Sequence, residues 1–462
     1  MLDIPKILQN SGDATDGSKD WPQILALFLA SICGISAGNL FAFSSPAIPK
    51  LVSDYNFTIE QASYFTVIPP IAMIIATPIF CKLTDKIGRK YTLLITGTLH
   101  VTSWVLIAFA KTIWVFYFSR AIYGISDACL FAALPVYIAE VSTPKVRSLY
   151  GNIIVVSIFV GQFLSNCIGF HFTISNSALI MLSVPLLFLA SFVFMPDTPY
   201  YLIMTNDVDG ARRSLQKLRG CDHVEAELKQ LVFDVHRQLS ESGDFKNLWL
   251  IKSNRRALIV ANLCRFFQQF SGFGALVVYS QYIFQLAGGN ISSGVASMIV
   301  SGILAFVNLF ANFISDKIGR KKSMVLSCLG CGVMLLGEAI YFYLQANVNL
   351  APISWFPIVA LVGYTCLFSI GLGVVPTLML GEMFSTSIRK HATTICNIAF
   401  GLSVCILTKV FQLMMSAFGL WVPFLLFSIC CFISSIASYF IVPETKGKTL
   451  EEIQQMLKGN VH

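Results

Sequence analysis

The chain has 462 residues, of which 55% are hydrophobic and only 12% charged, and its formal net charge is +8. A charged share about half the roughly 25% usual for soluble domains excludes an ordinary water-soluble enzyme or binding module. The 13 cysteines show no metal-ligand spacing and lie mostly in apolar runs, so they read as small buried hydrophobes, and nothing in the chain calls for a metal or a cofactor.

In chain order, the apolar residues form twelve runs of about 20, long enough for helices to cross a roughly 30 Å hydrocarbon core. Six are expected at 22–46, 62–82, 91–110, 113–138, 149–170 and 177–195. Six more are expected at 257–286, 293–314, 323–345, 355–380, 394–415 and 421–442. Their length is that of helices, not the short alternating segments of a barrel, the other structure that satisfies its backbone in lipid. The first run is too long for a cleaved leader and eleven more follow it. The polar stretch between the two sets contains "DVDGARRSLQKLRGCDHVEAELKQL". There Asp207 or Asp209 is placed to cap a short amphipathic helix with Leu215 and Leu218 on its apolar face. The expected fold is an all-α integral membrane protein of twelve transmembrane helices: a six-helix half over 1–202, a helical linker over 203–256, a second half over 257–442 and a tail over 443–462.

Lysine and arginine set the expected orientation. With both termini cytoplasmic, inner segments hold 27 of the 32 basic residues; outer loops hold Lys50 and Lys111, and Arg120, Arg265 and Lys409 lie within spans. The positive-inside rule selects that orientation and accounts for the basic charge without a nucleic-acid partner. Two glycosylation sequons, at Asn56 and Asn290, then fall in outer loops. The expected setting is the lipid bilayer of the plasma membrane, with the chain functional as a monomer.

The two sets of six are repeats. "TDKIGRK" at 84–90 returns as "SDKIGRK" at 315–321, an offset of 231 residues. "EVSTPKVR" and "EMFSTSIR" each place an acid seven residues before an arginine, Glu140 to Arg147 and Glu382 to Arg389, at an offset of 242. "PDTPYYL" from Pro196 and "PETKGKTL" from Pro443 follow at an offset of 247. Three pairs in one order at matching places define a parallel six-plus-six repeat. The loop acids Asp85 and Asp316 stand beside Arg89 and Arg320. All four arginines of the motifs are placed to bond Glu140, Glu382, Asp197 and Glu444, a network expected to latch one face shut.

At these motifs the chain resembles the sugar porter family of the major facilitator superfamily. The family's loop pattern G-x-x-x-D-R/K-x-G-R-R/K is met by Asp85, Gly88, Arg89 and Lys90 and again by Asp316, Gly319, Arg320 and Lys321, with Cys81 and Asn312 replacing the leading glycine. Its P-E-S-P-R pattern appears as Pro196, Asp197, Thr198, Pro199 and Tyr200, and P-E-T-K-G is complete from Pro443 to Gly447. With Gln268-Gln269-Phe-Ser-Gly these motifs point to sugar porters, and "PTLMLGEMF" and "LTKVF" look like the arthropod branch that includes facilitated trehalose transporters. The resemblance implies uniport of a hexose or of a disaccharide such as trehalose by alternating access. A proton-coupled sugar or polyol symporter and a non-transporting sugar-sensing receptor are the alternatives, the receptor disfavoured by tails of about 20 residues. Catalysis has no support, since neither a Walker lysine motif nor H-E-x-x-H occurs.

Polar residues inside spans mark the expected substrate path. On a helix of 100° per residue Gln268, Gly272 and Tyr279 fall on one stripe, offering amide and phenol groups to a hydroxyl-rich ligand. The resemblance matches Gln268 and Gln269 to the family's sugar-binding pair, and Asn39, Thr377 and Asn397 complete the candidate contacts. Gly274, Val155 and Thr377 replace an asparagine, a glutamine and a tryptophan of the family pattern, which implies a wider and less polar pocket. Proton-coupled members carry a first-span aspartate that works with the arginine matched by Arg120. Here that position is Asn39, whose amide cannot cycle a proton, and Asp127, two turns from Arg120, is the remaining candidate coupling acid.

Overall fold

The computed structural model describes residues 19–240, 245–288, 291–384, 386–446, 448 and 450–458. Their regular structure is helical throughout, and eleven stretches are long and apolar enough to cross a bilayer. In the first half these are Trp21–Ala42 continued by Ser44–Ser53, Ile59–Ile87, Arg89–Ala108, Ile113–Val141, Ile153–His171, and Ile174–Met181 continued by Ser183–Phe192. In the second half they are Ser293–Ile318, Arg320–Gln345, Phe356–Ile370 continued by Val375–Glu382, Thr386–Phe418 and Trp421–Ile441. The seventh expected span is present as three shorter helices, Lys252–Phe270, Phe273–Val278 and Ser280–Ala287. It is interrupted at Ser271 and Gly272, where Gly272 takes a left-handed φ of +86° that no β-carbon tolerates well. Counted with it, the spans are the first to twelfth below.

Local chemistry sets the helix ends. Thr58 and Gln61 form a reciprocal capping box that starts the second span, each side chain bonding the other's backbone N–H at 3.1 and 3.0 Å. Observed spans overrun the expected ones because their last turns are polar: the second extends from Ile59 to Ile87, through Thr84, Asp85 and Lys86.

Within the first half the fourth span packs on the second and third and the first on the fifth. Within the second half the ninth packs on the tenth and twelfth and the eighth on the tenth. The halves meet along two seams, second span against eleventh and fifth against eighth.

The linker stretch folds as Pro199–Met204, Val208–Arg219 and Glu225–Ser240 around Ile203, Ala211, Leu215, Val224, Leu228 and Val235. Asp207 is the cap, accepting from the Gly210 N–H at 2.8 Å, while Asp209 pairs with Arg212 at 2.6 Å. Leu218 packs into the first half instead of the linker core. Arg219 clamps Glu227 at 2.7 Å and reaches the Val141 carbonyl at 3.1 Å, and Ser214 bonds the Asp197 carbonyl at 2.7 Å. The linker therefore rides on the first half, and the face of the bundle it covers is called the linker face below.

Candidate functional site

The repeated heptapeptide builds the same device twice at the linker face. Gly88 (φ +93°) joins the second span to the third, and Gly319 (φ +98°) joins the eighth to the ninth. A β-carbon on Gly88 would lie 2.3 Å from Asp197 Oδ2, and one on Gly319 2.6 Å from Glu444 Oε2, so glycine is what lets each acid reach the helix start. Asp197 accepts from the N–H of Lys90 at 3.2 Å and of Thr198 at 2.8 Å; Glu444 accepts from the N–H of Arg320 at 3.0 Å and of Lys321 at 3.3 Å. Each acid serves the unpaired amides and positive end of a helix. Burial raises the Asp197 carboxyl above its ordinary value, against the pull of those amides and of Arg89.

Beside each acid sits an arginine–glutamate–threonine unit. Arg89 Nη2 donates to Glu140 at 3.0 Å and Thr198 Oγ1 donates to the same carboxylate at 2.5 Å. Arg320 Nη2 donates to Glu382 at 2.8 Å and Thr445 Oγ1 at 2.5 Å. Among the described residues Arg147 and Arg389 do not pair with acids, contrary to the sequence expectation. The glutamates are already taken by their own arginine and threonine, and Arg147 instead donates to the Ala139 carbonyl at 3.2 Å and Arg389 to the Gly381 carbonyl at 2.9 Å. Both cap the carbonyl end of a helix. Each network closes within one half, so it stiffens that half and does not by itself join the two. The side chain of Asp316 lies outside the described residues, as does Asn290.

The halves touch at both faces. At the linker face Lys390 pairs with Asp85, which also lies 3.6 Å from Arg89, and Asn152 Nδ2 donates to the Asn308 carbonyl at 2.8 Å. At the far face Gln281 N–H donates to Ser45 Oγ at 3.1 Å, Thr66 Oγ1 and the Tyr279 hydroxyl lie 3.5 Å apart, and Lys409 donates to Ser63 at 3.1 Å with its ammonium 4.5 Å from the Tyr64 ring.

Beside the fifth–eighth seam lies a cavity of about 30 Å³, bounded by Gln162 and Asn166 of the fifth span, Phe273 of the seventh, Ser301 of the eighth and Tyr364 and Thr365 of the tenth. It is polar on the side of the first half: Gln162 Oε1 and Asn166 Oδ1 are buried and have no hydrogen-bond partner. Sequence reasoning passed over both. The available signal was a glutamine and an asparagine four residues apart, one helical turn, in an otherwise apolar run.

The residues expected on the path sit around this cavity and do not line it. The Gln268–Gly272–Tyr279 stripe does not exist as one face, because the helix is broken at Gly272 and again at Tyr279. Gln268 accepts from Arg265 at 3.0 Å and donates to the Leu372 carbonyl at 2.8 Å, tying the seventh span to the break in the tenth. Gln269 is buried, with its Oε1 facing Gly274. Tyr279 is fully buried at the far-face seam, stacked on Phe411 at 5.3 Å. Asn397 is buried, and Thr377 is exposed. Asn39 is fully buried with neither amide atom partnered.

Arg120 is held by backbone geometry. Pro69 has no N–H to return to the Phe65 carbonyl, and Arg120 Nε donates there at 3.0 Å. Its other nitrogens donate to the Leu40 carbonyl at 2.7 Å and to Ser44 Oγ at 3.0 Å, on either side of the kink at Phe43. Arg120 thus pins the first and second spans together. Asn56 is exposed in the far-face loop.

A family profile described as "Sugar (and other) transporter" matches residues 29–457. The facilitated trehalose transporter Tret1 of Bombyx mori is 31% identical over 441 residues, 95% of this chain and 87% of that one. Its counterpart in Polypedilum vanderplanki is 31% identical over 450 residues, 96% and 89% of the two chains. Among solved structures, the xylose transporter XylE from E. coli in an inward-open conformation matches with a TM-score of 0.78 over 94% of this chain and 99% of that one, at 20% identity. XylE as the major facilitator superfamily proton:xylose symporter bound to 6-bromo-6-deoxy-D-glucose matches with a TM-score of 0.75 over 95% and 100%, at 21% identity. The fold is the major facilitator fold, two six-helix halves.

Proposed function

Because the chain belongs to the sugar (and other) transporter family, we propose that it carries a sugar across a bilayer as a facilitative uniporter, the substrate being a disaccharide such as trehalose or a hexose. The observation that carries this reading is the cavity between the halves, bounded by Gln162 and Asn166, each with an unpartnered side-chain oxygen, together with the separable polar contacts by which the halves meet at both faces. Two stiffened halves meeting through such contacts can rock about a site near the membrane midplane. At about 30 Å³ the cavity is far smaller than a sugar, so binding belongs to states in which one seam has parted.

Uniport is supported by the surroundings of Arg120. Its donors go to two carbonyls and a hydroxyl, and the first-span position carries Asn39, so no acid there exchanges a proton with it. The linker face is the cytoplasmic one, since the basic residues concentrate there, and the chain works as a monomer in the plasma membrane. Gln268 holds the seventh and tenth spans in register beside the site, with Gln269, Asn397 and Thr377 at its margins as seams open. Asp85 and Lys390 form the inner gate, Thr66 and Tyr279 the outer, and the two Arg–Glu–Thr units, with Arg147 and Arg389, are the rigid levers.

The test is competitive uptake of radiolabelled trehalose and glucose in sugar-transport-null cells with Asn166→Leu. That variant should lose affinity with little loss of stability, because it removes a buried Oδ1 that has no partner, at the cost of the 3.2 Å bond that Asn166 Nδ2 donates to the Gln162 carbonyl of its own helix. Uptake equal to wild type at equal surface expression counts against the cavity as the sugar site.

A further inference from the structure

We infer that Phe273 is the aromatic platform on which a pyranose ring of the transported sugar stacks, and that it, with Asn166, sets specificity for ring sugars; this rests on the transport reading above. Phe273 is the first residue after the seventh-span break, where Gly272 turns the backbone. It meets the other half yet is only half-buried, and it bounds the cavity beside the fifth–eighth seam. One face of its ring is fully backed by Phe368 of the tenth span, centroids 4.2 Å apart and planes within 5°. Phe368 is backed in turn by Tyr364 at 5.9 Å and 25°.

That ladder is fixed to the break it serves. The Tyr364 hydroxyl lies 3.1 Å from Ser271 Oγ and donates to the Ser271 carbonyl at 3.2 Å, while Gln268 bonds the Leu372 carbonyl at 2.8 Å. The ring is thus held rigidly by one half. Phe159 of the other half meets it edge-on at 6.1 Å and 79°, so parting of the halves can withdraw that edge and widen the bare surface. The same cavity is bounded by Gln162 and Asn166, each of which has a buried side-chain oxygen without a hydrogen-bond partner. An apolar ring and hydrogen-bond acceptors bounding one cavity match a pyranose, whose C–H bonds line one face and whose hydroxyls project from the rim. The tenth-span position that could have offered an aromatic carries Thr377, which is exposed and does not line the cavity.

The experiment measures binding of radiolabelled trehalose and glucose to purified full-length protein in lipid nanodiscs, with thermal stability read in parallel. Phe273→Leu should weaken binding about 5- to 10-fold, while Phe273→Tyr, which keeps the ring, should stay within about 2-fold of wild type. Phe368→Leu leaves the platform but removes its backing and should cost about 2- to 5-fold, which keeps the inference testable if Phe273→Leu does not fold. A merely structural ring would lower thermal stability in the leucine variants and leave the dissociation constants of the folded protein unchanged. That result, or tyrosine binding as weakly as leucine, overturns the platform alone. Wild type that binds neither sugar sinks the transport reading and the platform with it.

Discussion

Lys390→Ala removes the ion pair that crosses between halves at the linker face, and the structure sets the size of the effect. The two side chains are 45% and 31% exposed, so solvent screens the pair, and its worth is about 0.5–1 kcal/mol. Because that energy exists only while the linker face is closed, losing it shifts the closed-to-open ratio about 2- to 5-fold without loosening either half. Glu140→Ala is the contrast: it strips the acceptor from Arg89, which is 4% exposed, and from Thr198, which is fully buried, and should cost about 3–5 kcal/mol of stability. Spin labels carried on unnatural amino acids at the exposed Lys86 and Lys322, one in each half, report the separation of the halves in nanodiscs. Lys390→Ala should move population to the longer distance with an unchanged melting temperature, and Glu140→Ala should lower the melting temperature. Identical distance distributions for wild type and Lys390→Ala would refute the assignment of the gate to this pair.

Three further outcomes follow. Gln268→Ala leaves the Leu372 carbonyl and an Arg265 N–H without partners and should destabilise the protein by about 1–3 kcal/mol, read as a lower melting temperature. Glu338 is fully buried in the ninth span with neither carboxyl oxygen partnered, so Glu338→Leu should raise the melting temperature; a fall would mean the acid has a partner in the working protein. With Asn290→Gln as the background, Asn56→Gln should abolish the glycosidase-sensitive shift on a gel, and no difference between the single and the double variant removes Asn56 as an acceptor.

The architecture was legible because lipid imposes length. Runs of about 20 apolar residues, a basic bias and three repeated motifs each follow from a constraint on every residue involved. The heptapeptide could be found by repetition, but not the reason for its glycine, which lies in how closely the acids more than a hundred residues away approach Gly88 and Gly319. The pairing of Arg147 and Arg389 was misjudged because opposite charge alone does not record that each glutamate is already saturated by an arginine and a threonine. The candidate site was least legible. A helical wheel drawn through Gln268 and Tyr279 assumes one unbroken helix, and the turn at Gly272 defeats it. Gln162 and Asn166 went unnoticed because in a bundle packed on all sides polar residues on several faces look alike, and only the unpartnered oxygens at the cavity separate them.

The most direct test is sugar flux in proteoliposomes containing only the purified protein. Facilitative transport predicts counterflow of radiolabelled trehalose or glucose that follows the sugar gradient alone and persists when a protonophore collapses any proton gradient. Concentrative uptake driven by an imposed proton gradient, abolished by the protonophore and by Asp127→Asn, would contradict it.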